Sequence, residues 1–115
     1  MRSITVIIDN QALEKALESK KALIFKNSPI CPISAAAKRH FQTFAENTNT
    51  NIDLYMVDVI TSREISRKVE EKTGITHQSP QVILIKDKKP VWHKSHREIT
   101  DGSIYEEVEK HFTDG

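Results

Sequence analysis

A single cysteine among 115 residues excludes an internal disulfide, a CxxC redox pair and a cysteine-rich zinc knuckle. It fits a reducing compartment. Glycine is scarce, at three residues, and none belongs to a phosphate-cradling loop, so the sequence gives little support to nucleotide binding. No excess of one charge exists either. Seventeen Lys and Arg against sixteen Asp and Glu leave a formal net charge of +1. That balance offers nothing to a partner that must track phosphates, and no nucleic-acid partner is expected. Long hydrophobic runs are also missing. No stretch approaches the roughly 18 apolar residues of a membrane span, so no membrane partner is expected. The N-terminal run Ile4-Thr5-Val6-Ile7-Ile8 is shorter than a signal-peptide core and ends at Asp9. These absences lead us to expect a soluble, cytoplasmic protein.

What remains is 37% hydrophobic and 29% charged, which is too apolar for disorder. The length fits one domain over residues 1–115. Residues 4–8 alternate β-branched types and predict a strand. Asp9 or Asn10 caps a first helix over 11–20. Ala22-Leu23-Ile24-Phe25 predicts a strand covered on both sides. A loop over 27–32 follows, then a second helix to about residue 46, with Pro32 at its first position. Leu54 to Val59 resumes strand character. Thr61 and Glu64 have capping-box spacing and open a third helix, which Gly74 closes. Gln81 to Ile85 is a strand, Asp87-Lys88-Lys89 a turn, and Pro90 to His93 a hairpin partner. Thr100 or Asp101 caps a last helix carrying Ile104, Val108 and Phe112 on one face.

The order is β-α-β-α-β-α-β-β-α. Strands joined through helices are expected to be parallel and the final hairpin antiparallel. The result is an α/β protein with a small mixed sheet and helices on both faces. A βαβ half followed by a ββα half is the layout of the thioredoxin fold.

Cys31 lies between the second strand and the helix opened by Pro32. As N-cap it sits near the free N–H groups of Ile33 and Ser34. Those donors and the helix dipole favour a thiolate, the species that attacks disulfides. Most lone cysteines are small buried hydrophobes. The helix start and the flanking prolines favour the reactive reading here. Cys31-Pro32-Ile33-Ser34 is a CxxS motif, with Ser34 one helical turn from the sulfur. Serine cannot resolve a mixed disulfide. Its hydroxyl either donates to the thiolate or satisfies a first-turn backbone group, and both readings stand. Ser79-Pro80 precedes the strongest strand, an ordinary place for proline. In thioredoxin folds the corresponding proline is cis and lies beside the catalytic sulfur.

Five histidines invite a metal reading, but only His93 and His96 are close, and no zinc spacing is completed. No metal site is expected. His40 and His111 read as surface residues. The cluster Lys86, Lys88, Lys89, Lys94 and Arg97 reads as solvated protection of a strand edge.

Four blocks in order are specific enough to carry a resemblance. They are Leu23-Ile24-Phe25-Lys26, Cys31-Pro32-Ile33-Ser34, Ser79-Pro80-Gln81-Val82, and Trp92-His93-Lys94-Ser95-His96 with Ile99-Thr100. The chain resembles the bacillithiol-system thioredoxin-like proteins of the YtxJ type, the monothiol bacilliredoxins. Ile30 departs from the polar residue that many relatives have before the cysteine. The resemblance implies a thiol-disulfide oxidoreductase that removes bacillithiol from S-bacillithiolated client proteins. Cys31 would be catalytic, with Pro32, Ser34, Ser79 and Pro80 supporting it. Bacillithiol would be a co-substrate and no cofactor would be tightly bound. With no second cysteine, free bacillithiol or another redoxin would be the reductant.

Two other classes compete. One is a non-catalytic thioredoxin-fold adaptor whose Cys31 is itself thiolated. The other is an iron–sulfur carrier of the monothiol glutaredoxin kind, which uses a CGFS motif. Pro32 stands where that glycine would be, which weakens the idea.

Overall fold

The computed structural model describes residues 2–112, so Met1 and residues 113–115 of the expected domain lie outside the described residues. The elements run β1 (Ile4–Val6), α1 (Asn10–Leu17), β2 (Lys21–Asn27), α2 (Pro32–Asn47), β3 (Asp53–Asp58), α3 (Arg63–Thr73), β4 (Gln81–Lys86), β5 (Lys89–Ser95), a 3₁₀ turn (His96–Glu98) and α4 (Asp101–Phe112). The strands form one mixed sheet in the order β1-β3-β2-β4-β5.

Alternation along the central strand divides the core in two. Leu23 and Phe25 of β2 face one side, with Leu54, Val82 and Leu84 from neighbouring strands. The helices α2 and α4 cover that side through Phe41, Phe44, Ile104 and Val108. Phe25 and Phe41 stack with centroids 5.1 Å apart. Ala22 and Ile24 face the other side, with Tyr55, Val57, Ile83 and Ile85. There α1 contributes Leu13 and Ala16, and α3 contributes Ile65 and Val69. Each large apolar side chain so buried stabilises the fold by about 1.5–3 kcal/mol. Lys26 is the next inward residue of β2 on this second side, and it too is fully buried.

The strands β1, β3 and β2 are parallel. β4 is antiparallel to β2, with Lys26 opposite Gln81. The helical link α3 therefore does not make its strands parallel, contrary to the simple crossover expectation. Residues 74–80 return the chain to the end of the sheet where β2 finishes, and β4 starts there.

Several local readings hold. Asp9 caps α1, its carboxylate accepting from the Ala12 N–H at 2.9 Å. Gly74 ends α3 with φ of 74°, a conformation cheap only for glycine. Asp87 and Lys88 both have positive φ, as a tight two-residue hairpin turn requires. Thr100 caps the first turn of α4 by accepting from the Ser103 N–H at 3.0 Å. The Thr61–Glu64 capping box does not form. Ser62 is the N-cap of α3 and makes no side-chain capping bond. The Asp58 carboxylate instead accepts from the N–H groups of Ile60 and Thr61, at 2.9 and 3.0 Å. The first helix is also shorter than expected, with Glu18 as its C-cap. β5 runs on to Ser95, with a bulge opposite Leu84 and Ile85.

Candidate functional site

Cys31 stands at the end of a four-residue loop between β2 and α2. The loop is a tight turn, in which the Cys31 N–H donates to the Ser28 carbonyl at 3.2 Å. Cys31 has extended backbone angles, φ –103° and ψ 123°, and Pro32 is the first residue of the helix. Proline fits because an N–H at that position has no helical partner and its φ is already helical. Cys31 is half-buried and free. It makes no capping hydrogen bond to the first turn.

Ser34 is placed one turn on but does not serve the sulfur. It is fully buried. Its hydroxyl donates to Asn27 Oδ1 at 2.8 Å and accepts from the Ser28 N–H at 2.8 Å. The single hydroxyl proton is thereby used. Neither expected role applies: Ser34 fastens the last residue of β2 and the loop to the first turn of α2.

The Ser79–Pro80 bond is cis. Gln81 pairs with Lys26 on one side and with Ser95 on the other. Pro80 thus lies at the sheet end where the cysteine loop begins. Its carbonyl accepts from the His96 N–H at 3.0 Å, and His96 has a positive φ of 55°. That conformation is uncommon outside glycine. Ser79 Oγ is buried without a partner in the structure. Three segments meet at this end: the loop with Cys31, the 79–80 segment and the 3₁₀ turn.

A polar cluster built on the buried Lys26, which the sequence does not show directly, lies behind the loop. Lys26 Nζ is 3.0 Å from His77 Nδ1. Burial pushes the lysine down from 10.5 to about 8, and the Glu70 carboxylate pulls it back up in part. His77 is itself lowered, by desolvation first and by the Lys26 charge second, against Glu70. Ser66 Oγ is 3.4 Å from the same ring nitrogen, and Glu70 accepts from the His77 N–H at 2.6 Å. This group ties the end of β2 to the segment that leads into Pro80. The available signal was the period of β2, which puts residue 26 on the same side as 22 and 24.

His40 is not a plain surface residue. Its Nδ1 lies 2.7 Å from Asp101 Oδ1, linking α2 to the first turn of α4. This hydrogen bond lowers the Asp101 carboxyl below its ordinary range. A groove of about 360 Å³ starts at Pro32, next in the chain to Cys31, with Pro32, Ile33, Ala36 and Ile99 on its apolar walls. Among the described residues no group of three His, Cys, Asp or Glu side chains is placed to hold a metal ion. No described helix is long and apolar enough to cross a membrane.

Comparison with known proteins agrees with this geometry. The family model of the monothiol bacilliredoxin BrxC matches residues 3–104. A solved structure assigned as an oxidoreductase with a thioredoxin fold is 28% identical, with a TM-score of 0.81 over 90% of this chain and 91% of that one. Thioredoxin from Trypanosoma brucei brucei is 15% identical, with a TM-score of 0.80 over 97% and 93%. Mitochondrial thioredoxin 3 from Saccharomyces cerevisiae is 14% identical, with a TM-score of 0.75 over 93% and 94%. The latter two show the shared thioredoxin fold.

Proposed function

The chain belongs to the monothiol bacilliredoxin family, and on that premise we propose that Cys31 removes bacillithiol from S-bacillithiolated proteins through a mixed disulfide. The family and the fold make it a thiol redox protein. The observation that carries the finer reading is a free, half-buried Cys31 at the start of α2, beside a Ser34 whose hydroxyl is committed elsewhere. In this reading the whole chain, 1–115, works as one thioredoxin-like domain in the cytoplasm.

The Cys31 thiolate attacks the bacillithiol sulfur of a capped client. A new S–S bond forms as the old one breaks. The electron pair leaves on the client sulfur, which takes up a proton from water. Attack favours a good leaving group and an accessible thiolate. Ser79 precedes the first ladder pair of β4, so its peptide groups lie outside that ladder; in this reading they pair with an extended client segment. Pro32 starts the helix without adding an N–H that would compete for the loop's acceptors. Ser34 holds the loop. A second thiol, free bacillithiol or a redoxin, then attacks the mixed disulfide and returns Cys31 as thiolate. No metal and no tightly held cofactor enters either step.

The test follows a bacillithiolated client by mass. Wild type is expected to release the client thiol and carry one bacillithiol per chain. The adduct is expected to decay at a rate that rises with added thiol. Cys31→Ser is expected to fold and do neither. An adduct that forms but is never discharged by thiol would instead support an adaptor whose Cys31 is only a site of protective thiolation.

A further inference from the structure

The groove that starts at Pro32, next in the chain to Cys31, is apolar along α2 and carries the Arg97 charge along the 3₁₀ turn. Its opposite wall carries His96 and Arg97, both exposed. Among the described residues no acid lines it, and two acids of the adjoining stretch have partners. Asp101 is held by His40 at 2.7 Å. Glu98 lies 4.0 Å from Lys94. Among the described residues Arg97 has no ion pair, so its charge is the uncompensated one on the groove. The His96 backbone is held by Pro80, which fixes where the turn presents its side chains. The volume, about 360 Å³, suits a small molecule and not a folded partner.

We propose that this groove seats the non-sulfur part of the small thiol disulfide-bonded to Cys31, and that Arg97 makes the seat selective for one bearing a carboxylate. The inference rests on the exchange reading above and adds the chemistry by which the cap is recognised. The apolar walls take the body of the cap. The guanidinium takes the carboxylate in a planar, two-pronged contact that lysine cannot copy. Caps without negative charge would gain nothing from Arg97.

Three caps that differ chiefly in charge test this. One client peptide is capped in turn with 3-mercaptopropionate, 2-mercaptoethanol and cysteamine, each as a mixed disulfide. The rate of cap transfer to Cys31 is read by mass for wild type and Arg97→Ala. The Cys31–cap bond forms, the cap–peptide bond breaks, and the peptide sulfur leaves, so the leaving group is constant. Arg97→Ala is expected to slow the carboxylate cap about three-fold, the scale of a partly exposed charge pair, and to leave the hydroxyl cap unchanged. The cysteamine cap is expected to speed up slightly. Arg97→Lys should recover only part of the loss, and raised salt should shrink the difference. If the wild-type to Arg97→Ala ratio is the same for all three caps, the seat proposed here is wrong while exchange at Cys31 stands. If no cap transfers to Cys31 at all, the exchange reading falls, and this inference with it.

Discussion

Replacing Lys26 by Met tests whether a buried amine underlies the sheet end that carries the site. The lysine is fully buried, and its ammonium is lowered from 10.5 to about 8. At about 1.36 kcal/mol per tenfold, that drop means that keeping the charged form inside costs the fold about 3 kcal/mol at neutral pH. The direction with pH follows from proton counts. Between pH 8 and 10.5 the unfolded lysine holds a proton that the folded one has largely lost. The unfolded chain binds more protons there, so stability rises with pH across that window. From pH 7 to pH 9.5 the Lys26 contribution is expected to improve by about 2 kcal/mol. Methionine has similar length and no charge, and cannot show this rise. Other groups titrate in the same range, so the quantity to read is the difference between wild type and Lys26→Met. Urea unfolding at pH 7 and at pH 9.5 supplies it. Wild type should gain about 2 kcal/mol on the variant between the two. Parallel profiles would show that Lys26 is not held in a low-dielectric site, and the reasoning would fail.

Two further perturbations probe the scaffold of the site. Ser34→Ala removes the donor to Asn27 and the acceptor of the Ser28 N–H. Leaving those groups unpaired is expected to cost about 1–3 kcal/mol in urea unfolding and to slow adduct formation on Cys31; a loss below about 0.5 kcal/mol would refute the fastening role. Asp101, lowered by its His40 hydrogen bond, contributes stability above its ordinary value of 3.8 that is lost as pH falls through its folded value. Its side chain is 46% exposed, so the effect is small and salt-sensitive. Asp101→Asn should flatten the acid limb of the thermal melting profile, and an unchanged limb would show that the pair contributes nothing.

The parts of the site that could be read in the sequence are those set by neighbours in the chain. Cys31 before Pro32 marks a helix start because proline has few other places to stand. Gly74 marks a helix end because only glycine takes that backbone angle cheaply. Other features depend on residues distant in sequence. The bond from Ser34 to Asn27 spans seven positions and exists only because the loop folds over the helix start. Spacing alone placed Ser34 near the sulfur, but not which way its hydroxyl turns. Lys26 reads as the polar end of an apolar strand, and its burial appears only once His77 returns beside it. The direction of β4 was hidden for a like reason. It is set by the path of residues 74–80, which has no periodic signal.

The margins of the sheet bear on whether other chains can add to it. β1 is three residues long, and β5 opens Lys89-Pro90 with a bulge in its ladder. A visiting strand at the first margin finds room for very few bonds. At the second it meets a proline with no N–H to give, an irregular spacing and a lysine that repels like charge. Neither margin is a template on which stray chains can stack. On the function proposed above, an extended client would then meet only the short stretch around Ser79.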